Sequence, residues 1–450
     1  MSRSELRVTH CYSPLRSLKD GHWFKLICGA SFQSLPDVRS LTLAYALAGA
    51  DCIDVAADPA VVAAAREGLA AFRCLYPHGN QVTVEAPEAP RFSASGRGGD
   101  RPWLMVSLND GDDPHFRKAT FDPTRCPADC PRPCETICPA DAIRFGSELE
   151  PSGVIESRCY GCGRCLPVCP IQQIETRSLR ASPDAVMADV LPQVDALEIH
   201  TQVGRLQDFT QLWRAIAPAC QTLKVLAISC PDGDGLIEYL QALHRVITPL
   251  SCPVIWQTDG RPMSGDIGKG VTHATIRLGQ KVLAANLPGY VQLAGGTNAY
   301  TVPKLRELGL LNNVSRSLSS SNEVIPLSAA PRFINGVAYG SFARVLLAPV
   351  LQELSDRQVQ RSSALATPTA KTPMIPTLSP SAQIAKEWEW HRRSTESSPS
   401  PTAIELKPRN GLPPPTAQHL EDFPDLLHQA VQLATSLVSP LKSHVHTSAL

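Results

Sequence analysis

The chain has 450 residues, with 42 basic and 42 acidic side chains and a formal net charge of zero. That balance argues against a dedicated nucleic-acid binder, which carries a basic excess, and no run of about 18 uncharged apolar residues offers a transmembrane segment. The N-terminal stretch MSRSELRVTHCYSPLR scatters charges and lacks an apolar core, so it does not read as a secretory signal. A cytoplasmic, reducing setting is expected, in which 15 cysteines point to metal or redox chemistry rather than to disulfides.

Residues 13–354 alternate short apolar runs with helical patterns. The runs are WFKLICGA (23–30), CIDVAA (52–57), WLMVSL (103–108), ALEIHT (196–201), KVLAISC (224–230), PVIWQTDG (253–260), YVQLAGG (290–296) and INGVAYG (334–340). Amphipathic stretches follow most of them. In DPAVVAAAREGLAAF, Asp58 is a candidate N-cap and Pro59 takes the first helical position. Continuous apolar strands between amphipathic helices imply a parallel sheet covered on both faces. Eight such units predict an α/β fold, a closed (β/α)8 TIM-like barrel split into residues 13–108 and 181–354. An open doubly wound sheet is the competing arrangement. Residues 77–101 form a loop that a barrel does not require.

Between the third and fourth runs, residues 109–180 carry eight cysteines. Cys159, Cys162, Cys165 and Cys169 are spaced CxxCxxCxxxC and followed by Pro170, the bacterial ferredoxin run for a [4Fe–4S] cluster. Cys126, Cys130, Cys134 and Cys138 form a looser copy, CxxxCxxxCxxxC, followed by Pro139. The tails CPADAI (138–143) and CPIQQI (169–174) match, and a hairpin-like piece, AIRFGSELEPSGVIE, separates the halves. The pattern predicts an inserted two-cluster ferredoxin-like domain. In such duplications the ligands cross over. Cys159, Cys162 and Cys165 would pair with Cys138, and Cys126, Cys130 and Cys134 with Cys169. The wider spacers leave the second cluster open as [4Fe–4S], [3Fe–4S], labile or absent. Zinc needs the same thiolates and is the competing metal; a redox-silent structural cluster is the competing role. The other seven cysteines read as small core residues.

Barrel sites lie at the C-terminal ends of the strands. Gly295, Gly296 and Thr297 follow the seventh strand, and Gly340 and Ser341 the eighth. Small residues there let backbone N–H groups and a helix N-terminus meet an anion, as in flavin-binding barrels. FMN, or a quinone or other flavin, is the expected kind of ligand; plain turn glycine is the alternative. Glu198 and His200, with Asp54, Asn109, Gln257 and Asp259 near other strand tips, form a second candidate set, and Lys25 inside the first strand needs a partner. The glycine-rich loop over 260–273 lacks P-loop spacing, and no nucleophile–base pair is evident, so no catalytic residue is assigned. Residues 355–419, rich in Ser, Thr and Pro, read as a disordered linker with one sticky spot, Trp388 to Trp390. Residues 420–442 read as an amphipathic helix, either docked on its own domain or free for a partner.

The segments WFKLICGASFQSLPDVRSLTLAYALAGADCIDVAADPAVVAAAREGL, CPADCPRPCETICPADAI, CYGCGRCLPVCP and IWQTDGRPMSGDIGKG resemble one family, the light-dependent period proteins of cyanobacteria. The similarity spans residues 13–354 and extends to the final helix. It implies a cytoplasmic iron–sulfur protein that feeds cellular redox (light) state to the circadian clock, with clock input kinases and associated proteins as partners. Only the eight cysteines carry over residue by residue. A flavin-dependent iron–sulfur oxidoreductase with FMN at the barrel mouth is the alternative function, and an inactive barrel kept as a scaffold is a third.

Overall fold

The structure is a computed structural model, and it describes residues 13–75, 101–111, 116–138, 140–146, 152–178, 183–260, 270–312, 333–365 and 418–442. Residues 77–100 of the expected loop, most of the glycine-rich loop over 260–273 and the tryptophans at 388 and 390 lie outside these residues.

The eight apolar runs become eight parallel strands: β1 (Trp23–Ile27), β2 (Cys52–Ala56), β3 (Trp103–Asn109), β8 (Ala196–His200), β9 (Val225–Pro231), β10 (Val254–Asp259), β11 (Tyr290–Ala294) and β12 (Gly336–Tyr339). They close in the order β1-β12-β11-β10-β9-β8-β3-β2. The pairing of Trp23 with Gly336 and Leu26 with Tyr339 joins first strand to last and excludes the open sheet. Gly336 is required at that seam, because a Cβ there would stand 2.5 Å from the Trp23 carbonyl oxygen.

Helices α1 (Pro14–Asp20), α2 (Leu35–Leu47), α3 (Pro59–Leu75), α7 (Leu206–Ile216), α8 (Leu236–Ile247), α9 (Val271–Ala284), α10 (Thr301–Glu307) and α11 (Ser341–Leu365) accompany the barrel strands. Asp58 caps α3 as expected, its Oδ1 accepting from the N–H groups of Ala60 (2.8 Å) and Val61 (3.2 Å). After the cysteine segment, the helix due before β8 is replaced by irregular turns, the short α6 (Pro183–Ala185) and a π-helical turn over Val186–Val190. α11 runs to Leu365, eleven residues into the stretch expected to be a linker. The final helix, α12 (Pro424–Lys442), belongs to the same compact unit as the barrel, residues 1–354 and 419–450; residues 355–418 form a separate unit. No helix among the described residues is long and apolar enough to cross a membrane.

Side chains alternate in and out along each strand. Outward residues pack under the helices in one large apolar core that includes Phe24, Leu26, Ile53, Val106 and Ile199. Inward residues split by depth. At the N-terminal end the interior is apolar, with Trp23, Met105, Ala227 and Ile255. Two residues further along the same strands the interior turns polar, at Lys25, Ser107, Ser229 and Gln257, all buried.

Candidate functional site

The cysteine segment is built around two short antiparallel pairs. β4 (Arg117–Thr120) pairs with β7 (Glu175–Ser178), and β5 (Ile143–Arg144) with β6 (Gly153–Val154), which is the hairpin between the two halves. Each half carries one short helix, α4 (Pro133–Ile137) or α5 (Cys165–Val168), and each helix ends at a cysteine. Cys138 has φ −72° and ψ 110°, Cys169 φ −70° and ψ 115°. Three residues later both halves turn left-handed, at Asp141 (φ 47°) and Gln172 (φ 51°). Their N–H groups donate back to the carbonyls of Cys138 (3.3 Å) and Cys169 (3.1 Å). The duplication read in the tails therefore extends to the backbone. In the second half Gly161 (φ 71°) and Gly163 (φ 72°) take the left-handed turns that a tight thiol loop requires.

The thiols fall into two groups. Cys138, from the first half, joins Cys159, Cys162 and Cys165 around one concavity of about 430 Å³, part of it open to solvent, with Ala119, Ala142 and Ile143 in its wall. In the second group Cys126 has Cys130 and Cys169 as electrostatic neighbours, and Cys134 has Cys169 and Cys126. Hydrogen-bond donors face the sulfurs. Ala119 N–H reaches Cys159 Sγ at 3.3 Å, Ala142 N–H reaches Cys138 Sγ at 3.2 Å, and Gln173 Nε2 reaches Cys126 Sγ at 2.9 Å. Burial would raise Cys169, but N–H groups of residues 171–174 outweigh it and hold the thiol below its ordinary range. Cys165, with one weak backbone contribution against it, is pushed up to about 12 by burial and then by the neighbouring thiols.

Such a donor set fits thiolate ligation, in which each sulfur must be deprotonated and hydrogen bonds offset its charge. Among the described residues no three His, Cys, Asp or Glu side chains converge closely enough to hold one metal ion. A polynuclear cluster does not need that convergence, because its own metals and sulfides span the space between thiolates. Of the other seven cysteines, Cys28, Cys52, Cys220, Cys230 and Cys252 are buried as expected. Cys74 is exposed, and Cys11 lies outside the described residues.

The polar candidates of the strands meet inside the barrel. Lys25 is fully buried and pairs with Glu198, with Asp54 Oδ2 at 3.6 Å. Ser107 Oγ donates to Asp54 at 2.8 Å. His200 Nε2 lies 2.9 Å from Glu198 Oε1, and Gln257 Nε2 donates to the same oxygen at 2.5 Å. Ser229 Oγ donates to Asp259 at 2.5 Å. Gln292 and the Trp23 indole continue the chain from Gln257 toward the barrel floor. Burial alone would lower Lys25, but Glu198 and Asp54 hold its ammonium well above the usual lysine range. Burial would raise Glu198, but Lys25 and His200 bring it to about 2. Asp54 is pushed up to about 6, chiefly by burial. Asn109 stands apart, its amide turned to the Gly111 carbonyl.

Above this network lies a cavity of about 630 Å³, part of it open to solvent. Gly295, Gly296, Thr297, Gly340 and Ser341 all line it, as do Asp54, His200, Gln257 and Asp259. The two hydroxyls are partly engaged: Thr297 Oγ1 donates to the Ala338 carbonyl at 2.6 Å, and Ser341 Oγ accepts from Arg344 Nη2 at 3.1 Å. Two polar lining residues escaped the sequence reading, Arg344 on α11 and Tyr160 between Cys159 and Cys162. Tyr160 also lines the cysteine concavity. Ser107, Ser229 and Gln292 escaped it too, although their inward strand parity is the signal that would have found them.

A curated protein of Synechococcus elongatus, "Light dependent period A", is 50% identical to this chain over 346 residues, which cover 77% of the chain and 86% of the relative. The chain belongs to the light dependent period A family. Two family descriptions agree. The "LdpA Fe-S cluster-binding domain" matches residues 126–180, which contain all eight clustered cysteines, and the "Light dependent period A C-terminal domain" matches residues 190–387. This light dependent period A homologue thus carries the family's iron–sulfur binding domain between β3 and β8.

Proposed function

We propose that this chain is an iron–sulfur redox sensor that passes the light-dependent redox state of the cell to the circadian clock's input proteins in the cytoplasm. The observation that carries the reading is the grouping of Cys138 with Cys159, Cys162 and Cys165 around one concavity, beside N–H donors to sulfur. These four hold one [4Fe–4S] cluster in a ferredoxin-like insertion. Cys126, Cys130, Cys134 and Cys169 hold the second, [4Fe–4S] or [3Fe–4S]. A bound cluster supplies a one-electron change of charge in a partly buried site. The chain's own part is to fix the thiolates, direct N–H groups at them and limit water.

Anaerobic purification with iron, sulfide and flavin counts, and absorption and EPR spectra before and after dithionite, test this. The expected protein is brown, with visible absorbance that bleaches on reduction. A colourless zinc protein would overturn the reading. Cys162→Ser is expected to remove the signal of one cluster and leave the other. The sensing step predicts different affinity for clock input proteins with oxidised, reduced and apo protein, and equal affinity in all three would sink it.

A second reading has its own observation. All five small residues expected to bind a cofactor line the mouth cavity, together with hydrogen-bonding side chains on its floor. FMN, or a quinone, seated there beside the clusters would make the protein a flavin-dependent or quinone-linked iron–sulfur oxidoreductase. Stoichiometric FMN in the purified protein is the result that would favour it.

A further inference from the structure

We infer that the barrel mouth is a binding site for a small phosphate-bearing molecule, and that Tyr160 makes its occupancy felt at the cavity lined by Cys138, Cys159, Cys162 and Cys165. The binding half stands on the barrel alone. The coupling half rests on those cysteines holding a cluster.

The anion-binding end is assembled by three elements. Gly295 (φ 60°) and Gly296 (φ 99°) turn left-handed after β11 and border the cavity. α11, 25 residues long, starts at Ser341 on the cavity edge. The Arg344 N–H is the donor to the Gly340 carbonyl, so the N–H groups of Ser341, Phe342 and Ala343 come before this first intrahelical donor and have no acceptor within the helix. The third element is the Arg344 side chain, only 6% exposed. Its Nη1 donates to the carbonyls of Ile27 (2.7 Å) and Cys28 (2.9 Å) and its Nη2 to Ser341 Oγ, while Nε has no hydrogen-bond partner. Among the described residues no carboxylate forms an ion pair with it. A buried guanidinium in a cavity wall, with only neutral acceptors, calls for an anion. The carboxylates of the floor are satisfied elsewhere: Asp54 by Ser107 and Lys25, Asp259 by Ser229.

Tyr160 connects the two cavities. It lines both and is 5% exposed, and its buried hydroxyl has the Arg344 guanidinium as a polar neighbour. The Arg344 guanidinium lies over its ring face, 3.9 Å from Cζ to the centroid, and Phe32 meets the ring edge-on at 5.8 Å. Its chain neighbours are the thiol Cys159 and, two residues on, Cys162. An anion that draws on Arg344 therefore acts on a ring whose backbone carries two of the four thiols, and its charge sits beside that cavity.

The test uses the full-length protein, reconstituted and with iron counted. Inorganic phosphate, FMN and riboflavin are the probes, and equilibrium dialysis measures binding. Expected are binding of FMN or inorganic phosphate, riboflavin binding weaker than FMN by tenfold or more, and loss of about tenfold in Arg344→Gln, the scale of one charge-assisted contact. Ser341→Asp is a second variant: it sets a carboxylate against the phosphate and beside Arg344, at a helix start that tolerates acidic residues. It should abolish binding while folding normally. No binding of any probe, riboflavin equal to FMN, or affinity unchanged in both variants would each overturn the site. Saturating ligand is expected to shift the EPR spectrum of the reduced protein, and Tyr160→Ala, with its own affinity measured by dialysis and the ligand raised to saturation, to remove the shift. An identical spectrum with and without ligand overturns the coupling and leaves the site standing. If no iron is present, the cluster reading and the coupling fall together, and dialysis still decides the site.

Discussion

At the scale of single residues, Lys25 governs the barrel interior. Its ammonium is fully buried, faces Glu198 and Asp54, and also approaches Met105 Sδ at 3.6 Å. Removing one partner of a buried pair leaves the other charge uncompensated, which costs about 3–5 kcal/mol. Lys25→Met should destabilise the protein by that order in urea unfolding, and Lys25→Met combined with Glu198→Gln should recover much of it. A single-mutant loss below about 1 kcal/mol would mean that water already reaches the pair. Asp54 gives a pH signature. Its folded pKa of about 6 lies above the ordinary aspartate value of 3.8. Between those values the folded state holds the proton more tightly than the unfolded one, so this contribution is complete below pH 3.8 and is lost as pH rises through 6. Glu198, brought down to about 2, acts oppositely: its contribution is present above about 4.5 and lost as pH falls toward 2. Asp54→Asn should flatten the decline of stability between pH 4 and 6 measured by chemical denaturation.

At the scale of elements, the final helix shows how far pattern reading reaches. Apolar spacing predicts the amphipathic helix at 420–442 but leaves its partner open. The structure docks it on its own barrel. Leu426, Ala430, Ala434, Leu437 and Val438 are buried, and α12 packs against α2 and β1. Two ion pairs fasten its ends: Glu421, just before the helix, receives the Arg39 guanidinium, with Nη1 to Oε2 at 2.9 Å, and Lys442 pairs with the buried Asp51. Burial lowers Lys442, against the pull of Asp51. Leu437→Ala should therefore cost about 2–5 kcal/mol of global stability. It should also leave a single cooperative transition, since the helix shares the barrel's core. A separate early melting step, seen by hydrogen exchange over residues 424–442, would instead mark a detachable helix. The cysteine segment is tied to the β1–α2 loop in the same non-local way. Lys118 Nζ donates to Gln33 Oε1 at 2.6 Å and to the Glu156 carbonyl at 2.8 Å.

At the scale of the whole molecule, the barrel and the cysteine segment have unequal means of folding. The barrel rests on a large apolar core and a second one at its floor. The buried core of the cysteine segment is Ala119, Cys134, Ala142, Ile143, Cys159, Cys165, Cys169 and Ile174, so four of its eight members are thiols. A core of that size does not hold a fold by hydrophobic burial alone, and a metal cluster would supply the remainder. Removing iron with a chelator under oxidising conditions should raise amide exchange across residues 116–178 and leave the barrel's far-UV dichroism in place. Loss of the barrel signal together with the iron would show that the two fold as one unit.

The sequence by itself determined the eight strand positions, the alternating helices and the duplicated thiol ladder, because these are local signals: strand runs, helical spacing, caps and cysteine intervals. Its parity placed Glu198 and His200 on one face, and the single charge inside β1 demanded a partner. Tertiary structure decided what lies far apart along the chain. Barrel closure joins Trp23 to Gly336. Lys25 meets Glu198 across 173 residues. Tyr160 meets Arg344, and Glu421 meets Arg39. Such pairs arise only when strand register and helix docking bring distant residues together, and no local pattern encodes that register.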